Sequence, residues 1–536
     1  MNEAFPVQWD DPPDPDLSWE RDDMHHPSAL TPLAGDYILL GIVAGFNYRY
    51  ERANLPLHAQ GRILNGYVYF AYRLGVAESE RPQVLEQAVA ARRAQAKVVR
   101  KYWDEKAFPT LLSTYRWMEV APIESAPLTM VAALWDEAWT RIAHLWGLHF
   151  MTNAGSYQSL NDLADIYESV VPGARSSEAF TLVHGFATEL QRVAHDLYHL
   201  AECAQALPAV ARALVDDDPQ HVLAALPHLE GGREFAEAFQ TFLAAHGHLG
   251  QPFDDLRLPS WDDHPALVLA ELRKRLQDPR EDPDVRRGRL IAAADALADQ
   301  VRARLADLPD DLHRFKAALA LAREAGPLTE DHNYWLDRML HSRARRFMLR
   351  VGTRLTTAGI LAEPDDVFFL HTDEVRKALS EGHDSHKVVG DRRREYAHQS
   401  TLKPPKYLGK APDPSGPPNR FDVGDQPQPD PTKLRGVGAS PGTARGTARV
   451  VLAPEDFGRV EAGDVLVCPS SNPSWVPLFG IIAGLVTNTG GVTSHAAVVA
   501  REFAVPAVVG TGEATQRIRD GQQVEVDGTA GEVRLL

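Results

Sequence analysis

Cysteine is almost absent from this chain. Two of its 536 residues, Cys203 and Cys468, are cysteines, which excludes a disulfide framework and a cysteine-rich metal site and fits a reducing compartment. Basic residues are fewer than acidic ones. The chain has 56 Lys and Arg and 73 Asp and Glu, which gives a formal net charge of −17. A balance this acidic argues against nucleic acid or an anionic membrane as the main partner.

A long apolar segment is also lacking. The longest apolar run, Tyr37 to Phe46, is much shorter than the roughly 20 residues that a helix needs to cross a bilayer. Residues 1–13 are acidic and interrupted by proline, unlike a signal peptide. We therefore expect a soluble cytoplasmic protein with no membrane partner. Its length and its 44% hydrophobic content suit two to four globular domains.

Helical patterns dominate residues 36–380. Apolar side chains recur there every three or four residues, as on one face of an amphipathic helix, and breaks with Pro or Gly separate the segments. The apolar faces comprise Leu85, Val89, Ala96, Val99 and Trp103; Phe186, Leu190, Val193, Leu197 and Leu200; and Leu290, Ala294, Leu297, Val301 and Leu305. We predict a mostly helical domain over residues 1–400.

The composition changes near residue 400. Residues 401–433 are rich in proline and poor in apolar side chains, which predicts a semi-rigid linker. Short β-type runs separated by glycine follow, so residues 434–536 are predicted to form a compact β/α domain. The predicted fold class is α plus α/β, with a large helical domain joined by a hinge to a small β/α domain.

One histidine in the C-terminal domain stands in a setting suited to phosphate. His495 follows Gly490-Gly491 and begins a short predicted helix. The unpaired N–H groups and the dipole of a helix N-terminus attract phosphate. The same field favours a neutral, nucleophilic imidazole. His495 is therefore the leading catalytic candidate.

Five positions around this histidine are phosphate-binding candidates. The first is Gly490, through its backbone amide. The Gly491 amide and the hydroxyls of Thr493 and Ser494 could contact phosphate oxygens, although both hydroxyls suit helix capping equally well. Arg501 lies about two turns into the helix, where its side chain could reach phosphate or remain solvated.

The string from Thr487 to Gly510 resembles the phosphohistidine motif of the swivelling domain in the phosphoenolpyruvate-utilising (dikinase) family. That family includes phosphoenolpyruvate synthase, pyruvate phosphate dikinase and rifampicin phosphotransferase. Residues 434–448 and 471–479 resemble the first turn of that domain and the loop beside its histidine. The resemblance implies a covalent phosphohistidine at His495. It also implies that the proline-rich segment acts as a hinge on which the domain moves between two sites.

Parts of the helical region resemble the substrate-binding domain of rifampicin phosphotransferase and the carrier subunit of phenylphosphate synthase. The matching segments are residues 19–33, 247–250, 259–261, 330–335 and 345–374. Relatives that phosphorylate rifampicin have a sequence similar to Arg-Glu-x-x-Lys at the positions where this chain has Thr329-Glu330-Asp331-His332-Asn333. Leu249 occupies a position where those relatives usually have arginine. The resemblance therefore implies an acceptor pocket different from that of the antibiotic enzymes.

A glycine-rich phosphate loop does not precede the helical region. By the resemblance, we expect a separate ATP-grasp subunit to bind ATP and Mg²⁺ and to phosphorylate His495. The chain is expected to be the substrate-binding and phosphohistidine subunit of a two-component dikinase. The implied reaction converts a phenol or a lignin-derived hydroxyphenyl ketone, ATP and water into an aryl phosphate, AMP and phosphate.

Phosphorylation of a phenol with a pKa near 10 benefits from a general base and from a pocket that holds an aromatic ring. Each candidate also suits an ordinary structural role, such as a helix cap or a packed core side chain. No metal site is expected, because His246 and His248 lack a third ligand nearby in sequence. The candidates are catalytic Glu330 and His332, with Asp331 and His26 as alternatives, and substrate-binding His25, His248, Tyr334, Trp335 and Arg350.

Two other functions remain open at this point. One is a subunit of an antibiotic phosphotransferase of the rifampicin type, against which the missing basic residues argue. The other is a phosphorelay carrier that passes phosphate only to proteins, against which the large helical domain argues.

Overall fold

The computed structural model describes residues 5–9, 16–23, 25–174, 176–250, 255–277, 281–411, 430, 432–452, 454–471, 475–491 and 494–536. Its internal contacts divide the chain into two units. Unit 1 comprises residues 1–155, 253–258 and 335–416, and unit 2 comprises residues 156–252, 259–334 and 417–536.

Helices dominate both units outside the C-terminal hundred residues, as predicted. In chain order they are α1 Pro32–Tyr37, α2 Ala44–Arg52, α3 Arg81–Ala96, α4 Val99–Tyr102, α5 Phe108–Val120, α6 Leu128–Val170, α7 Ser176–Ala179, α8 Glu189–Gln205, α9 Pro208–Asp216, α10 Pro219–Ala225, α11 Gly232–His246, α12 Ala266–Gln277, α13 Pro283–Arg304, α14 Pro309–Ala325, α15 Leu328–His332, α16 Met339–Thr357, α17 Thr372–Glu381, α18 His386–Gln399, α19 Val476–Phe479, α20 His495–Glu502 and α21 Ala514–Arg517. No helix in the described ranges is both long enough and apolar enough to cross a membrane.

The strands form two sheets. They are β1 Ser18–Arg21, β2 Leu57–Leu64, β3 Tyr67–Leu74, β4 Tyr407–Gly409, β5 Lys433–Arg435, β6 Val437–Ser440, β7 Thr443–Val450, β8 Val465–Cys468, β9 Gly484–Thr487, β10 Ala507–Val509, β11 Gln523–Asp527 and β12 Glu532–Leu535. The first four strands belong to unit 1 and the other eight to unit 2.

The small sheet of unit 1 is antiparallel, in the order β2-β3-β1-β4. Asn65 and Gly66 connect β2 to β3 with φ values of 48° and 82°, as a tight hairpin turn requires. Trp19 and Tyr69 are fully buried under this sheet. Strand β4 lies inside the segment that the sequence assigns to the linker, so residues 407–409 belong to the sheet of unit 1.

Helices α2 and α6 of unit 1 pack with very little space between their backbones. A Cβ atom added to Gly45 of α2 would lie 2.7 Å from the carbonyl carbon of Trp146 and 2.9 Å from the ring of Phe150. A backbone atom cannot move aside as a flexible side chain can. Glycine is therefore needed at this crossing.

Two of the three predicted apolar faces are confirmed. On α8, Leu190, Val193, Leu197 and Leu200 are buried, and α13 buries its predicted face except for the half-buried Leu297. The face that begins at Leu85 is confirmed only in its second half. Ala96, Val99 and Trp103 are buried, whereas Leu85 is 53% exposed, and α3 ends at Ala96.

The eight strands of unit 2 have the order β5-β12-β11-β7-β8-β9-β10-β6, with β7, β8, β9 and β10 parallel. Alternate residues of β8 enter opposite cores. Leu466 and Cys468 pack in a cluster with α19 and α20, whereas Val465 and Val467 pack with β11 and β12. A strand buried on both faces explains the uninterrupted apolar sequence of β8.

The division into units differs from the domain boundaries expected from sequence. Helical residues 156–334 fall in the same unit as the β/α domain, not with the preceding helices. Residues 412–429 and 431, which make up much of the predicted linker, lie outside the described residues. Their role as a hinge stays a prediction.

Gly45→Ala tests the close approach of α2 and α6. Alanine is the better helix former by about 1 kcal/mol, but its Cβ would collide with the α6 backbone, and overpacking of this kind costs about 1–3 kcal/mol. We expect a net loss of up to about 2 kcal/mol in the free energy of unfolding, measured by chemical denaturation. Gly390→Ala on α18 is the matched control, because its nearest neighbour is a flexible Arg394 atom at 3.9 Å. Equal stability of the two variants would contradict the analysis.

Candidate active site

His495 lies beyond the carboxyl ends of parallel strands β8 and β9, where α/β sheets commonly bind ligands. The loop that leads to it is anchored by Asn488. The Asn488 amide donates to the carbonyl of Cys468 at 3.0 Å, and its side chain exchanges hydrogen bonds of 2.9 and 2.7 Å with Thr515. The position of the histidine is thus tied to the sheet.

Ser494 is the N-cap of α20. Its hydroxyl accepts a hydrogen bond from the amide of Ala497 at 3.4 Å, and its backbone is extended. Gly490 has φ of 121°, and a Cβ atom there would lie 2.9 Å from the Ser494 hydroxyl. The carbonyl of Gly491 accepts from the Ser494 amide at 3.0 Å. Of the two proposed roles of Ser494, the structure therefore contains the cap, and Thr493 lies outside the described residues.

Four residues of α20 form a buried apolar face. Ala496, Ala497, Val499 and Ala500 are at most 3% exposed and share a core with Leu478 and Phe479 of α19. The side chain of His495 remains 12% exposed. The helix is thus fixed by its apolar face, and its first residue keeps a partly exposed side chain.

Glu330 faces His495. An Oε2 atom of Glu330 lies 3.3 Å from Nδ1 of His495, and the glutamate side chain is 1% exposed. Both residues belong to unit 2. The two atoms lie within ion-pair distance, and a neutral imidazole that is protonated on Nδ1 has its lone pair on Nε2. The carboxylate therefore favours the tautomer with the lone pair on Nε2.

The neighbours of Glu330 on α15 have other roles. Oδ1 of Asp331 accepts the amide of Glu189 at 2.8 Å and so caps the first turn of α8. His332 is buried, and its Nδ1 donates to the carbonyl of Leu328 at 2.6 Å. Asp331 is thus a structural residue, whereas the general-base role of His332 stays a prediction.

The two positions that lack the basic residues of the antibiotic enzymes are satisfied locally. The hydroxyl of Thr329 donates to the carbonyl of Gly326 at 2.7 Å, and the side-chain amide of Asn333 donates to the carbonyl of Thr329 at 3.1 Å. Both side chains bond to their own helix.

Tyr334 is the centre of a buried hydrogen-bond network in unit 2. Its hydroxyl lies 3.0 Å from Nδ1 of His246, whose Nε2 lies 2.7 Å from a carboxylate oxygen of Asp196, and Arg192 donates to the same hydroxyl at 3.4 Å. Burial lowers the pKa of His246 although Asp196 opposes this. Burial also raises the pKa of Tyr334 to about 12, against the effect of Arg192. The network therefore holds a neutral phenol and a neutral imidazole.

Sequence analysis missed Arg192 and Asp196. They lie four residues apart on α8, a spacing found on any solvated helix face, so no local signal identified them. His248, a predicted substrate contact, is 4% exposed and packs edge-to-face on the Tyr334 ring at 4.6 Å. Predicted Tyr334 and His248 are thus neighbours in the structure.

Arg501 is buried rather than solvated. Its guanidinium donates to the carbonyl of Ala439 at 3.1 Å and lies 4.4 Å from the ring centre of Phe180. Burial, together with the charge of Arg501, lowers the pKa of His184 to about 3. Of the two alternatives for Arg501, the solvated side chain is excluded, and its contact with phosphate stays a prediction.

Three predicted substrate contacts belong to unit 1. Trp335 packs edge-to-face on Phe108 at 5.0 Å, and Nδ1 of the exposed His25 lies 2.9 Å from Asp22. Arg350 binds both carboxylate oxygens of Glu124 at 2.5 and 2.7 Å, which lowers the pKa of Glu124 to about 2. These contacts give Arg350 a structural role, and its contact with substrate stays a prediction.

Two family descriptions match the chain. Residues 460–531 match the mobile domain of phosphoenolpyruvate-utilising enzymes, and residues 149–330 match the fourth domain of rifampicin phosphotransferase. The first range contains His495 and the second ends at Glu330. The two matched ranges therefore supply the two partners of the contact described above.

Three curated relatives show how the chain compares with longer proteins. Rifampicin phosphotransferase of a Streptomyces species is 34% identical over 64% of this chain and 39% of its own length. Chondramide synthase of Chondromyces crocatus is 31% identical over 99% of this chain and 14% of its own length. Phosphoenolpyruvate synthase of Aeropyrum pernix is 50% identical over 19% of this chain and 12% of its own length. The chain spans less than half the length of each of them.

The matches agree with the geometry in one respect that bears on chemistry. The first family description places a mobile domain at residues 460–531, where the structure has a β/α domain with a histidine at a helix N-terminus. The chain thus resembles the phosphoenolpyruvate-utilising enzymes over its mobile domain and rifampicin phosphotransferase over residues 149–330.

Proposed function

We propose that this chain carries a phosphoryl group on Nε2 of His495 and transfers it to the hydroxyl of a small phenolic acceptor. The observation that supports this most directly is the 3.3 Å contact between Nδ1 of His495 and the buried carboxylate of Glu330. A carboxylate at Nδ1 orients the ring and stabilises the positive charge that develops as Nε2 attacks phosphorus, as in other histidine–carboxylate pairs.

The transfer to the acceptor balances with the residues of this site. The acceptor oxygen attacks phosphorus, the bond between phosphorus and Nε2 breaks, and its electron pair returns to the imidazole. In-line attack puts the acceptor oxygen on the far side of phosphorus from the imidazole, away from a carboxylate held at Nδ1. The hydroxyl proton therefore goes to a base on the acceptor side of phosphorus, for which His332 is the proposed residue. A base of this kind contributes about 10²–10⁴ to the rate, and an apolar setting strengthens its effect because water is excluded.

The acceptor class is inferred from what surrounds Glu330. Thr329 and Asn333 leave no basic side chain at the positions flanking it, so an anionic acceptor gains nothing there. A phenol, with a pKa near 10, gives up its proton to a base more readily than an aliphatic alcohol does. An antibiotic hydroxyl is the second candidate, favoured by the 34% identity to a rifampicin phosphotransferase.

The phosphate donor is proposed to be ATP with Mg²⁺ on an ATP-grasp partner polypeptide. In that scheme the nucleotide is cleaved to AMP, one phosphoryl group reaches His495, and another is released as phosphate. Reaction with a phenol then yields the aryl phosphate.

Phosphorylation of His495 is checked by intact-mass measurement. We expect the chain, incubated with Mg·ATP and an ATP-grasp partner, to gain the mass of one phosphoryl group, acid-labile as phosphohistidine is. His495→Ala should gain none. An adduct formed without the partner would refute the two-component scheme, and an adduct on His495→Ala would refute the assignment of the residue.

The acceptor is identified by adding phenol, 4-hydroxyacetophenone or rifampicin to the phosphorylated chain. We expect loss of the phosphoryl group and formation of an aryl phosphate with the two small phenols. Turnover of rifampicin alone would overturn the phenolic assignment in favour of the antibiotic one. A stable adduct with all three, lost only to an added protein, would instead indicate a phosphorelay.

Glu330→Gln tests the contact between the carboxylate and His495. The amide keeps the size of the side chain but carries no negative charge to stabilise the imidazole, so phosphorylation of His495 and transfer to the acceptor should both slow by about tenfold or more. Asp331→Asn is the matched control, since Asp331 caps α8 and asparagine caps a helix about as well as aspartate, so this variant should keep the rates of the parent. Equal rates for the two variants would contradict the role of the Glu330 carboxylate.

A further inference from the structure

Helix α8 exposes two histidines on the side opposite its buried face. His195 and His199 are one turn apart, their ring centres are 4.3 Å from each other, and their side chains are 38% and 49% exposed. Asp284 in the first turn of α13 places Oδ2 3.1 Å from Nδ1 of His195. One donor atom from each of the three side chains lies within 4.8 Å of the other two.

We propose that His195, His199 and Asp284 bind a divalent transition-metal ion, with Zn²⁺ as the best-suited ion. Two histidines at positions i and i+4 of a helix can bind one ion, and a carboxylate is a usual third ligand. With zinc–ligand bonds of about 2.0–2.2 Å, tetrahedral donors lie roughly 3.3 Å apart. Small rotations of exposed side chains suffice to bring the three donors from their present separation to this one.

Glu202 improves the donor set. Its Oε2 lies 2.8 Å from Nδ1 of His199, so the carboxylate accepts that N–H and leaves the lone pair on Nε2 for the metal. A carboxylate that accepts a hydrogen bond from a metal-binding histidine fixes the orientation of the imidazole ring and raises its basicity. A water molecule would complete the tetrahedron.

Because of where these residues lie in unit 2, a bound ion would affect how α8 and α13 pack on the β/α domain. Leu190 and Ala194, on the buried face of α8, share a core with the β/α domain, and Arg286 of α13 lies 4.7 Å from the ring centre of Phe503, just after α20. A metal that ties α13 to α8 therefore fixes two of the elements that contact the domain carrying His495. Binding should favour the arrangement in which His495 faces Glu330. This inference goes beyond the proposed function and does not depend on the acceptor.

Calorimetric titration of Zn²⁺ and of Ni²⁺ into the tag-free chain at neutral pH tests the site without ATP or acceptor. We expect one Zn²⁺ per chain, with affinity reduced at least tenfold in His195→Ala, His199→Ala and Asp284→Asn. Because all three side chains are exposed, these variants should fold normally, which metal-free thermal denaturation checks. His221→Ala, which removes an exposed histidine of α10, should bind as the parent does. Unchanged affinity in the two histidine variants would overturn the proposal.

Two further readouts distinguish this site from adventitious binding. Binding should weaken as the pH falls, because the metal requires deprotonated imidazoles, and the parent should gain thermal stability in Zn²⁺ whereas His195→Ala should not. Amide hydrogen exchange in α13 and α20 should slow in Zn²⁺. Slowing confined to α8 would overturn the proposed link to the His495 domain. All of these outcomes leave the phosphohistidine proposal untouched, since none involves phosphate.

Discussion

The contact between the buried carboxylate of Glu330 and the imidazole of His495 constrains much of unit 2. A carboxylate that is 1% exposed is costly to bury unless its charge and lone pairs are satisfied. Its partner comes from a distant part of the sequence, so the contact exists only when the β/α domain rests against the helices of residues 156–334. Burial of this carboxylate and the orientation of the His495 ring thus depend on the same geometry.

Helix α8 supports both partners of this contact. At its N-terminus Asp331 caps its first turn, and near its middle Arg192 and Asp196 enter the network around Tyr334. These contacts hold α15 and the segment after it, and therefore Glu330. The apolar face of α8 packs through Leu190 and Ala194 on the core of the β/α domain. A ligand that restricts the motion of α8 and α13, such as the proposed metal ion, would therefore also stabilise the contact between Glu330 and His495.

Local pattern predicted a good part of this arrangement. The glycine pair, the cap residue and the histidine of the C-terminal motif appear in the structure with the expected helix start at His495. The apolar faces of α8 and α13 were predictable because burial of one side of a helix imposes a period of three to four residues. Leu85 is exposed although its spacing matches the buried Ala96, Val99 and Trp103, because periodicity does not register where one helix ends and the next begins. The setting of Arg501 stayed open because an arginine in a helix carries the same local signal whether it is solvated or stacked on Phe180.

The sequence by itself determined the helix N-terminus at His495, the class of the two folds and the apolar positions of most helices. Those properties depend on residues that are near in the chain, where hydrogen bonding and side-chain period act directly. Only the tertiary structure decided that Glu330 rather than Asp331 faces His495, that helical residues 156–334 share a unit with the β/α domain, and that Asp284 reaches the histidines of α8. Adjacent residues on one helix point in different directions, and contacts between distant segments depend on how whole elements pack, which no local pattern encodes.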